Sequence, residues 1–266
     1  MFRILFFDSG LGGTSVFKAV QELNPDCNFY YLFDNECFPY GNKDEDFIVK
    51  RSESLIEECV KRFNISLIVV ACNTASTIAL PKLRDRIKIP IVGVVPAIKP
   101  AALKSKKKII GLVATPGTTR RAYTDDLIEK FAKDCKVLKL GTTDLVRLSE
   151  RKMSGQDVSF SEIRDVFGPW LLLKEEEQPD VIVLGCTHFP LLKNEISHLF
   201  PKALLVDSGE AIGRRVRSLI SLKQVTDFPE DNKGNIAFYT GALKDIEGYS
   251  KTFKRCGFKA VEAFFE

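Results

Sequence analysis

Nine short apolar runs recur along this sequence, and stretches with helical spacing separate them. The runs lie at residues 3–7, 28–33, 66–71, 90–95, 108–114, 136–140, 180–185, 203–207 and 235–240. Runs that are apolar throughout are typical of strands buried on both faces of a sheet. Between the first two runs, residues 16–23 keep helical spacing until Asn24-Pro25 ends the pattern. Strands that alternate with helices in this way predict doubly wound, parallel sheets.

The number of runs and one repeated motif predict two lobes. Nine strands are many for one small sheet, and the motif "DSG" at 8–10 recurs at 207–209. We therefore expect an α/β fold of two similar doubly wound, mainly parallel-sheet lobes that face each other across a central cleft. The first lobe is predicted to contain residues 1–96 and 210–266, and the second residues 97–209.

The composition excludes several classes of protein. The 39 Lys and Arg residues against 35 Asp and Glu give a net charge of only +4, too weak and too scattered to indicate nucleic-acid binding. The N-terminal residues do not have the pattern of a signal peptide, and no apolar run approaches the length of a membrane span. We expect a cytoplasmic protein whose seven cysteines are mostly reduced. No Cys-x-x-Cys pair or histidine cluster indicates a metal site.

Two of the cysteines differ from the others because each directly follows an apolar run. Cys72 is followed by Asn73-Thr74, and Cys186 by Thr187-His188. In parallel sheets, ligands bind beyond the carboxyl ends of the strands, where these residues would lie. We expect a helix to begin after each thiol and to lower its pKa through the free N–H groups of the helix N-terminus.

Two other interpretations of these motifs are open from the residues alone. His188, two residues after Cys186, could be the base of a cysteine nucleophile in a hydrolase, but that reaction leaves Cys72 without a role. A non-catalytic amino-acid-binding protein would also have two lobes.

The glycine-rich turn "FDSGLGGTS" at 7–15 resembles a dinucleotide-binding fingerprint only in part. Gly10-x-Gly12 follows a strand, but Ser15 occupies the position of the third glycine. Asp8 also places a negative charge where a pyrophosphate would bind. The turn is better explained as one that presents Asp8 and Ser9 to a small polar ligand, so we expect no nucleotide cofactor. No lysine lies in a strand-end loop where pyridoxal phosphate would need one.

Two thiols on opposite lobes suggest a two-base reaction at one carbon. One thiolate removes a proton from one face of the carbon, and the other thiol protonates the opposite face, which inverts the stereochemistry without a cofactor. Because the Cα proton of an amino acid is very weakly acidic, such a site must exclude water and stabilise the developing negative charge.

Four motifs in this order and spacing resemble those of the glutamate racemases, which are cofactor-independent bacterial enzymes that make D-glutamate for peptidoglycan. The motifs are "DSGLGG", "DNECFPYG", "ACNTAS" and "LGCTHFPLL". The resemblance implies that Cys72 is the acid/base for D-glutamate and Cys186 the one for L-glutamate. It also implies that Asp8 assists Cys72, and that His188 and Glu150 assist Cys186.

The same resemblance implies a set of residues that bind the substrate. They are Asp8, Ser9, Tyr40, Gly41, Asn73, Thr74, Thr115, Thr118 and Thr187. The chain departs from many relatives in "ATPGTTRR" (114–121) and "GTT" (141–143), neither of which contains a catalytic thiol. An aspartate racemase would share both thiols, so glutamate as the substrate depends on the resemblance. The family often forms homodimers, and some members depend on a cell-wall precursor as activator.

Overall fold

The computed structural model describes residues 1–229 and 234–265, whose strands form two separate parallel sheets. The strands are β1 (Arg3–Asp8), β2 (Asn28–Phe33), β3 (Leu67–Val70), β4 (Ile91–Gly93), β5 (Ile109–Ala114), β6 (Lys136–Gly141), β7 (Val181–Leu184), β8 (Leu204–Val206), β9 (Ile236–Tyr239) and β10 (Ala260–Ala263). The six-stranded sheet has the order β10-β9-β2-β1-β3-β4, and the four-stranded sheet the order β6-β5-β7-β8. Every strand pair is parallel, so all strands of one sheet end at the same edge.

Helices cover both sheets. They are α1 (Thr14–Leu23), α2 (Glu45–Phe63), α3 (Asn73–Arg86), α4 (Ile98–Lys104), α5 (Pro116–Arg120), α6 (Ala122–Phe131), α7 (Asp144–Met153), α8 (Phe160–Val166), α9 (Gly168–Leu171), α10 (Lys193–Leu199), α11 (Gly209–Ser221) and α12 (Ile246–Arg255). Short 3₁₀ helices lie at Asn35–Cys37, Tyr40–Asn42, Glu175–Glu177 and Phe189–Leu192. Within the described residues, no helix combines the length and the apolar character needed to cross a bilayer.

The central strands are apolar at successive positions between their ends because both faces of each sheet are covered. In β1, Ile4 and Phe6 pack with α1, α11 and α12 on one face of the sheet, whereas Leu5 and Phe7 pack with α2 and α3 on the other. Each of these side chains is fully buried, and burial of a side chain of this size stabilises the fold by about 2 kcal/mol. A single-residue shift of the strand would exchange the two sets but leave both buried, so the helices determine the register.

The predicted α/β fold with two mainly parallel sheets is confirmed. Each of the nine apolar runs contains one strand, and the sequence pattern misses only β10. This strand lies at the edge of the six-stranded sheet with half-exposed and exposed side chains, so it lacks an apolar run. The strands of the six-stranded sheet come from residues 3–93 and 236–263, and those of the other sheet from 109–206. The lobe limits of 1–96 with 210–266 and of 97–209 stay a prediction, with which this division of the strands agrees.

Candidate active site

The carboxyl ends of two neighbouring strands bring together the first half of the candidate site. Strand β1 ends at Asp8 and β3 is followed by Cys72, and these strands pair directly in the six-stranded sheet. Helix α3 begins at Asn73, so Cys72 occupies its N-cap position, as the sequence predicts. Asp8 and Cys72 are both buried.

The four-stranded sheet supplies the second half in the same way. Strands β5 and β7 pair directly, and Thr115 and Cys186 follow their carboxyl ends. The helix expected after Cys186 is present, but its first turn is not α-helical. A 3₁₀ helix, Phe189–Leu192, comes first, and α10 begins only at Lys193. The rigid Pro190 in the first turn of the 3₁₀ helix is suited to that position because it has no N–H group to donate.

Direct hydrogen bonds join the two halves. The Thr187 hydroxyl donates to Asp8 Oδ2 at 3.0 Å, and the Ser15 hydroxyl donates to the Thr187 carbonyl oxygen at 2.7 Å. On the other side, the Thr74 and Thr115 hydroxyl oxygens are 3.2 Å apart. The carboxyl edges of the two sheets therefore face each other, with one thiol on each.

Burial dominates the chemistry of Cys72. Loss of hydration raises the pKa of this thiol well above its usual value, and the Asp8 charge raises it further, while the Ala75 backbone N–H at the start of α3 lowers it. The N-terminus of α3 lowers the pKa of Cys72 as predicted, but burial outweighs that effect, so the expected net lowering is wrong. The side-chain group in hydrogen-bond range of its sulfur is the Ser9 hydroxyl, with Oγ 3.9 Å from Sγ.

Cys186 lies at one end of a chain of polar side chains. Its Sγ is 3.8 Å from His188 Nδ1, and His188 Nε2 is 2.6 Å from Glu150 Oε1. Burial by itself lowers the pKa of His188, but the hydrogen bonds to Cys186 and Glu150 and the negative charges of both outweigh it and hold the pKa well above its usual value. His188 is therefore cationic and paired with Glu150, and it can stabilise a thiolate at Cys186.

Asp8 has an environment of opposing influences. Burial raises the pKa of its carboxyl from the usual 3.8 to about 6, although the positive His188 and the hydrogen bonds from the Gly10 N–H and the Thr187 hydroxyl oppose the rise. The carboxylate is not hydrogen-bonded to Cys72, and it acts on that thiol through its charge. Near neutral pH, Asp8 can therefore change its protonation state as neighbouring charges change.

Hydroxyl groups form a polar wall beside the thiols. Thr115 Oγ1 is 3.2 Å from Thr74 Oγ1 and 3.1 Å from Thr118 Oγ1. The backbone of Gly41 packs closely on Thr115, since a Cβ atom at position 41 would lie 2.9 Å from Thr115 Cβ. The buried Asn73 Oδ1 has no hydrogen-bond partner within the described residues, so it is an available acceptor for an ammonium group.

The structure places Tyr40 differently from the rest of the predicted substrate-binding set. Its buried ring packs on Phe7, and its hydroxyl donates to Asp34 Oδ2 at 2.7 Å, so the hydroxyl is not directed to a substrate. Arg51 also donates to Asp34, at 2.8 and 3.0 Å. These bonds anchor the loop that carries Gly41.

One group of side chains in the described part of the chain has the spacing of metal ligands. Asp34, Glu36 and Cys37 offer ligand atoms within 4.8 Å of one another. Arg51 already donates to both carboxylates of this group, at 2.8 Å and 2.6 Å. A metal ion there would have to displace a guanidinium group, which makes this group a poor metal site.

Sequence reasoning missed several groups that complete the site. The Leu11 N–H donates to Glu150 Oε1 at 2.7 Å, the Tyr249 hydroxyl donates to Glu150 Oε2 at 2.8 Å, and the Tyr31 hydroxyl donates to the Gly10 carbonyl at 2.9 Å. Nothing in the local pattern indicates these roles, because the bonds from Leu11 and Tyr249 join residues 139 and 99 positions apart. Gly12 packs on His188, since a Cβ atom at position 12 would lie 2.3 Å from His188 Nδ1.

Known proteins resemble this chain over almost its whole length. Residues 14–216 match the Asp/Glu/Hydantoin racemase family. The chain is 46% identical over 260 residues to a glutamate racemase from Escherichia fergusonii, which covers 97% of this chain and 90% of that protein. Among solved structures, Escherichia coli glutamate racemase in complex with L-glutamate and the activator UDP-MurNAc-ala is 44% identical with a TM-score of 0.94, covering 98% of this chain and 97% of that one. The glutamate racemase from Aquifex pyrophilus is 29% identical with a TM-score of 0.73, covering 98% of each chain.

Proposed function

The chain belongs to the Asp/Glu/Hydantoin racemase family, and we propose that it interconverts L-glutamate and D-glutamate without a cofactor by a two-thiol reaction. As an amino-acid racemase it is an isomerase. One observation carries the mechanism: Cys72 and Cys186 follow strands of two different sheets whose carboxyl edges are hydrogen-bonded to each other. That arrangement lets the thiols approach opposite faces of one small molecule.

Proton transfer proceeds in two steps. For L-glutamate, the Cys186 thiolate removes the Cα proton, the C–H electron pair stays on the substrate, and the Cys72 thiol donates its proton to the opposite face. The enzyme then holds its proton on Cys186 and a thiolate on Cys72, which is the state that acts on D-glutamate. The charged pair of His188 and Glu150 supports the thiolate at Cys186 in the first state.

The surroundings of Cys72 explain why a thiolate forms there only when the substrate is bound. Burial and the Asp8 charge favour the neutral thiol. A bound substrate brings an ammonium group, for which Asp8 and the unpaired Asn73 Oδ1 are suitable acceptors. The positive charge beside Asp8 lowers the cost of a thiolate at Cys72.

The polar wall supports the substrate carboxylate in this proposal. Thr74, Thr115 and Thr118 provide hydroxyl donors and are themselves buried. The contact of Thr187 with the substrate stays a prediction, since its hydroxyl donates to Asp8. Such fixed donors in a water-excluded site stabilise the negative charge that develops as the Cα proton leaves. The roles of Ser9, Tyr40 and Gly41 stay predictions. The Tyr40 hydroxyl already donates to Asp34 and Gly41 has no side chain, so these two residues would contact the substrate through their backbone.

The decisive experiment follows racemisation in heavy water. The purified protein is incubated with L-glutamate, and separately with D-glutamate or L-aspartate, while circular dichroism reports inversion and NMR reports deuterium at Cα. We expect inversion of glutamate with deuterium in the product, and loss of inversion in both Cys72→Ser and Cys186→Ser. Cys135→Ser is the control, because this half-buried cysteine lies outside the site.

The outcomes separate the competing functions. An active Cys72→Ser variant that hydrolyses an amide or ester would favour the Cys-His hydrolase. Binding of glutamate without Cα exchange would favour a binding protein, and a preference for L-aspartate would replace the substrate but keep the mechanism.

Regulation by a cell-wall precursor is part of the proposal. The solved relative from Escherichia coli contains UDP-MurNAc-ala as an activator, and its backbone matches this one with a TM-score of 0.94. We expect the racemase rate of this chain to rise on addition of UDP-MurNAc-alanine and to be unaffected by UDP alone. If the racemase rate is already high without UDP-MurNAc-alanine and does not change when it is added, this part of the proposal is contradicted.

The biological setting follows from the product. D-Glutamate would serve peptidoglycan synthesis, and the expected location is the cytoplasm. The predicted homodimer stays a prediction, which sedimentation of the protein with and without glutamate would test.

A further inference from the structure

Tyr249 is a residue of the candidate site that neither the motifs nor the resemblance indicate. It lies on α12, which packs beside the six-stranded sheet, whereas its partner Glu150 lies on α7 of the other half of the molecule. The Tyr249 hydroxyl donates to Glu150 Oε2 at 2.8 Å. Burial and the Glu150 charge raise the pKa of Tyr249 above its usual range, so the hydroxyl keeps its proton and remains a donor.

Glu150 is held by donors on both of its carboxylate oxygens. Oε1 accepts from the Leu11 N–H at 2.7 Å and lies 2.6 Å from His188 Nε2, and Oε2 accepts from Tyr249. Leu11 and Tyr249 both belong to the half of the molecule that contains Cys72, whereas His188 and Cys186 belong to the other half. The set of donors that holds Glu150 is therefore complete only when the two halves are together.

The bond from Tyr249 prevents Glu150 from turning outward. Glu150 lines a cavity of about 490 Å³, and the cationic side chains of Arg151 and Lys244 line the same cavity. Without the bond from Tyr249, Oε2 of Glu150 would be free, and the carboxylate could rotate toward these cations and toward water. His188 would then lose the partner that holds it charged, and burial would lower its pKa.

We propose that Tyr249 is a positioning residue for this reaction, which acts through Glu150 to keep His188 charged and oriented toward Cys186. This inference rests on the proposed racemase function. Tyr249 touches no reacting atom, so its effect is confined to the half-reaction at Cys186. The charged or titratable groups that face His188 are Cys186, Glu150 and Asp8, and the hydroxyl of Tyr249 reaches it through Glu150.

Replacement of Tyr249 by Phe isolates the hydroxyl. The Tyr249 ring stacks on Phe33, with centroids 5.4 Å apart and planes within 10°, and phenylalanine keeps this contact. Tyr239 offers a matched control, because its ring also packs on Phe33, at 6.2 Å, and its hydroxyl is not among the donors to Glu150 in the part of the chain that the structure describes.

The equilibrium of a racemase determines which measurements are informative. Because the equilibrium constant between enantiomers is 1, every variant must have equal kcat/KM in the two directions. A fall in kcat/KM therefore does not show which thiol is affected. The affected thiol is identified by the deuterium isotope effect of each direction, or by kcat and KM taken separately.

We expect kcat/KM of Tyr249→Phe to fall about tenfold, the loss typical of one hydrogen bond to a charged group. The isotope effect on kcat/KM should rise for 2-deuterated L-glutamate, whose deuteron goes to Cys186, and fall for 2-deuterated D-glutamate, whose deuteron goes to Cys72. The basic limb of the pH profile for kcat should move to lower pH, because His188 loses its proton more easily when Glu150 turns away. Tyr239→Phe should change none of these quantities.

The results that overturn the inference are distinct from those that overturn the proposed function. A wild-type protein that racemises glutamate, with a Tyr249→Phe variant of unchanged kcat/KM, would overturn the positioning role alone. A fall in kcat/KM with both isotope effects and the basic limb unchanged from the wild type would also overturn it, since this indicates a general loss of packing. A wild-type protein that exchanges no Cα proton would overturn the proposed function and this inference with it.

Discussion

Gly12 is the position at which one added methyl group tests the geometry of the site most directly. A Cβ atom at this position would lie 2.3 Å from His188 Nδ1 and 2.6 Å from Thr187 Oγ1. These atoms belong to side chains that are fixed by the bonds to Glu150 and Asp8 and are almost completely buried. The Gly12→Ala variant must therefore displace the His188 ring or the backbone of the turn.

The size of the displacement follows from the contact distance. Ordinary contact between such atoms is about 3.4 Å, so the ring must move by about 1 Å from a Cβ placed at 2.3 Å. A misplacement of this size can reduce the rate by about 100-fold. Overpacking of a buried position also lowers the free energy of unfolding by about 1–3 kcal/mol.

The assay compares Gly12→Ala with Gly168→Ala at equal concentration. A Cβ atom at Gly168 meets no atom within 4 Å, so this control adds the same methyl group without a contact. Circular dichroism gives kcat for both enantiomers of glutamate, and thermal unfolding gives the stability. If Gly12→Ala keeps more than half of the wild-type kcat, the His188 ring does not need its observed position, and the reasoning about the site is refuted.

Two further predictions concern Asp8 and Thr115. Asp8→Asn should abolish racemisation. Its stability relative to the wild type should rise by about 3 kcal/mol between pH 4 and pH 8, because the pKa of the wild-type carboxyl is raised from 3.8 to about 6 and its ionisation over this range destabilises the folded state. Unfolding by urea at pH 4 and pH 8 measures this, and a stability difference that does not grow with pH would contradict it. Thr115→Val removes the hydroxyl that bridges Thr74 and Thr118 and should raise KM for glutamate about tenfold with a smaller change in kcat. Steady-state kinetics measures both constants. Thr143→Val is the control, because Thr143 is half-buried and lies outside the wall. An unchanged KM in Thr115→Val would exclude the hydroxyl wall from substrate binding.

Local sequence patterns were sufficient for the fold and for the positions of both thiols. A strand buried on both faces must be apolar at successive positions, so β1 and β7 are visible as uninterrupted runs. The residue after such a run lies at the carboxyl edge of a parallel sheet, which predicts the place of Cys72 and Cys186 without knowledge of the tertiary structure. Edge strand β10, half exposed, has no such run and was not predicted.

Patterns of this kind do not contain the environment of a side chain. The helix N-terminus after Cys72 was predicted correctly, but the direction of the pKa shift was wrong because burial depends on how the two halves close over the thiol. The helix expected after Cys186 is present, but the sequence pattern did not show that it begins as a 3₁₀ helix before α10. Substrate binding by Tyr40 stays a prediction, and the bond from its hydroxyl to Asp34 is visible only in the structure.

The sequence by itself therefore determined the strands, the alternation with helices and the two strand-end thiols, because each depends on residues that are close along the chain. Only the tertiary structure decided which groups surround them. The bond from Tyr249 to Glu150 and the contact of Gly12 with His188 join residues from distant segments. Such contacts depend on how the two halves of the molecule come together, and this arrangement has no period that can be read along the chain.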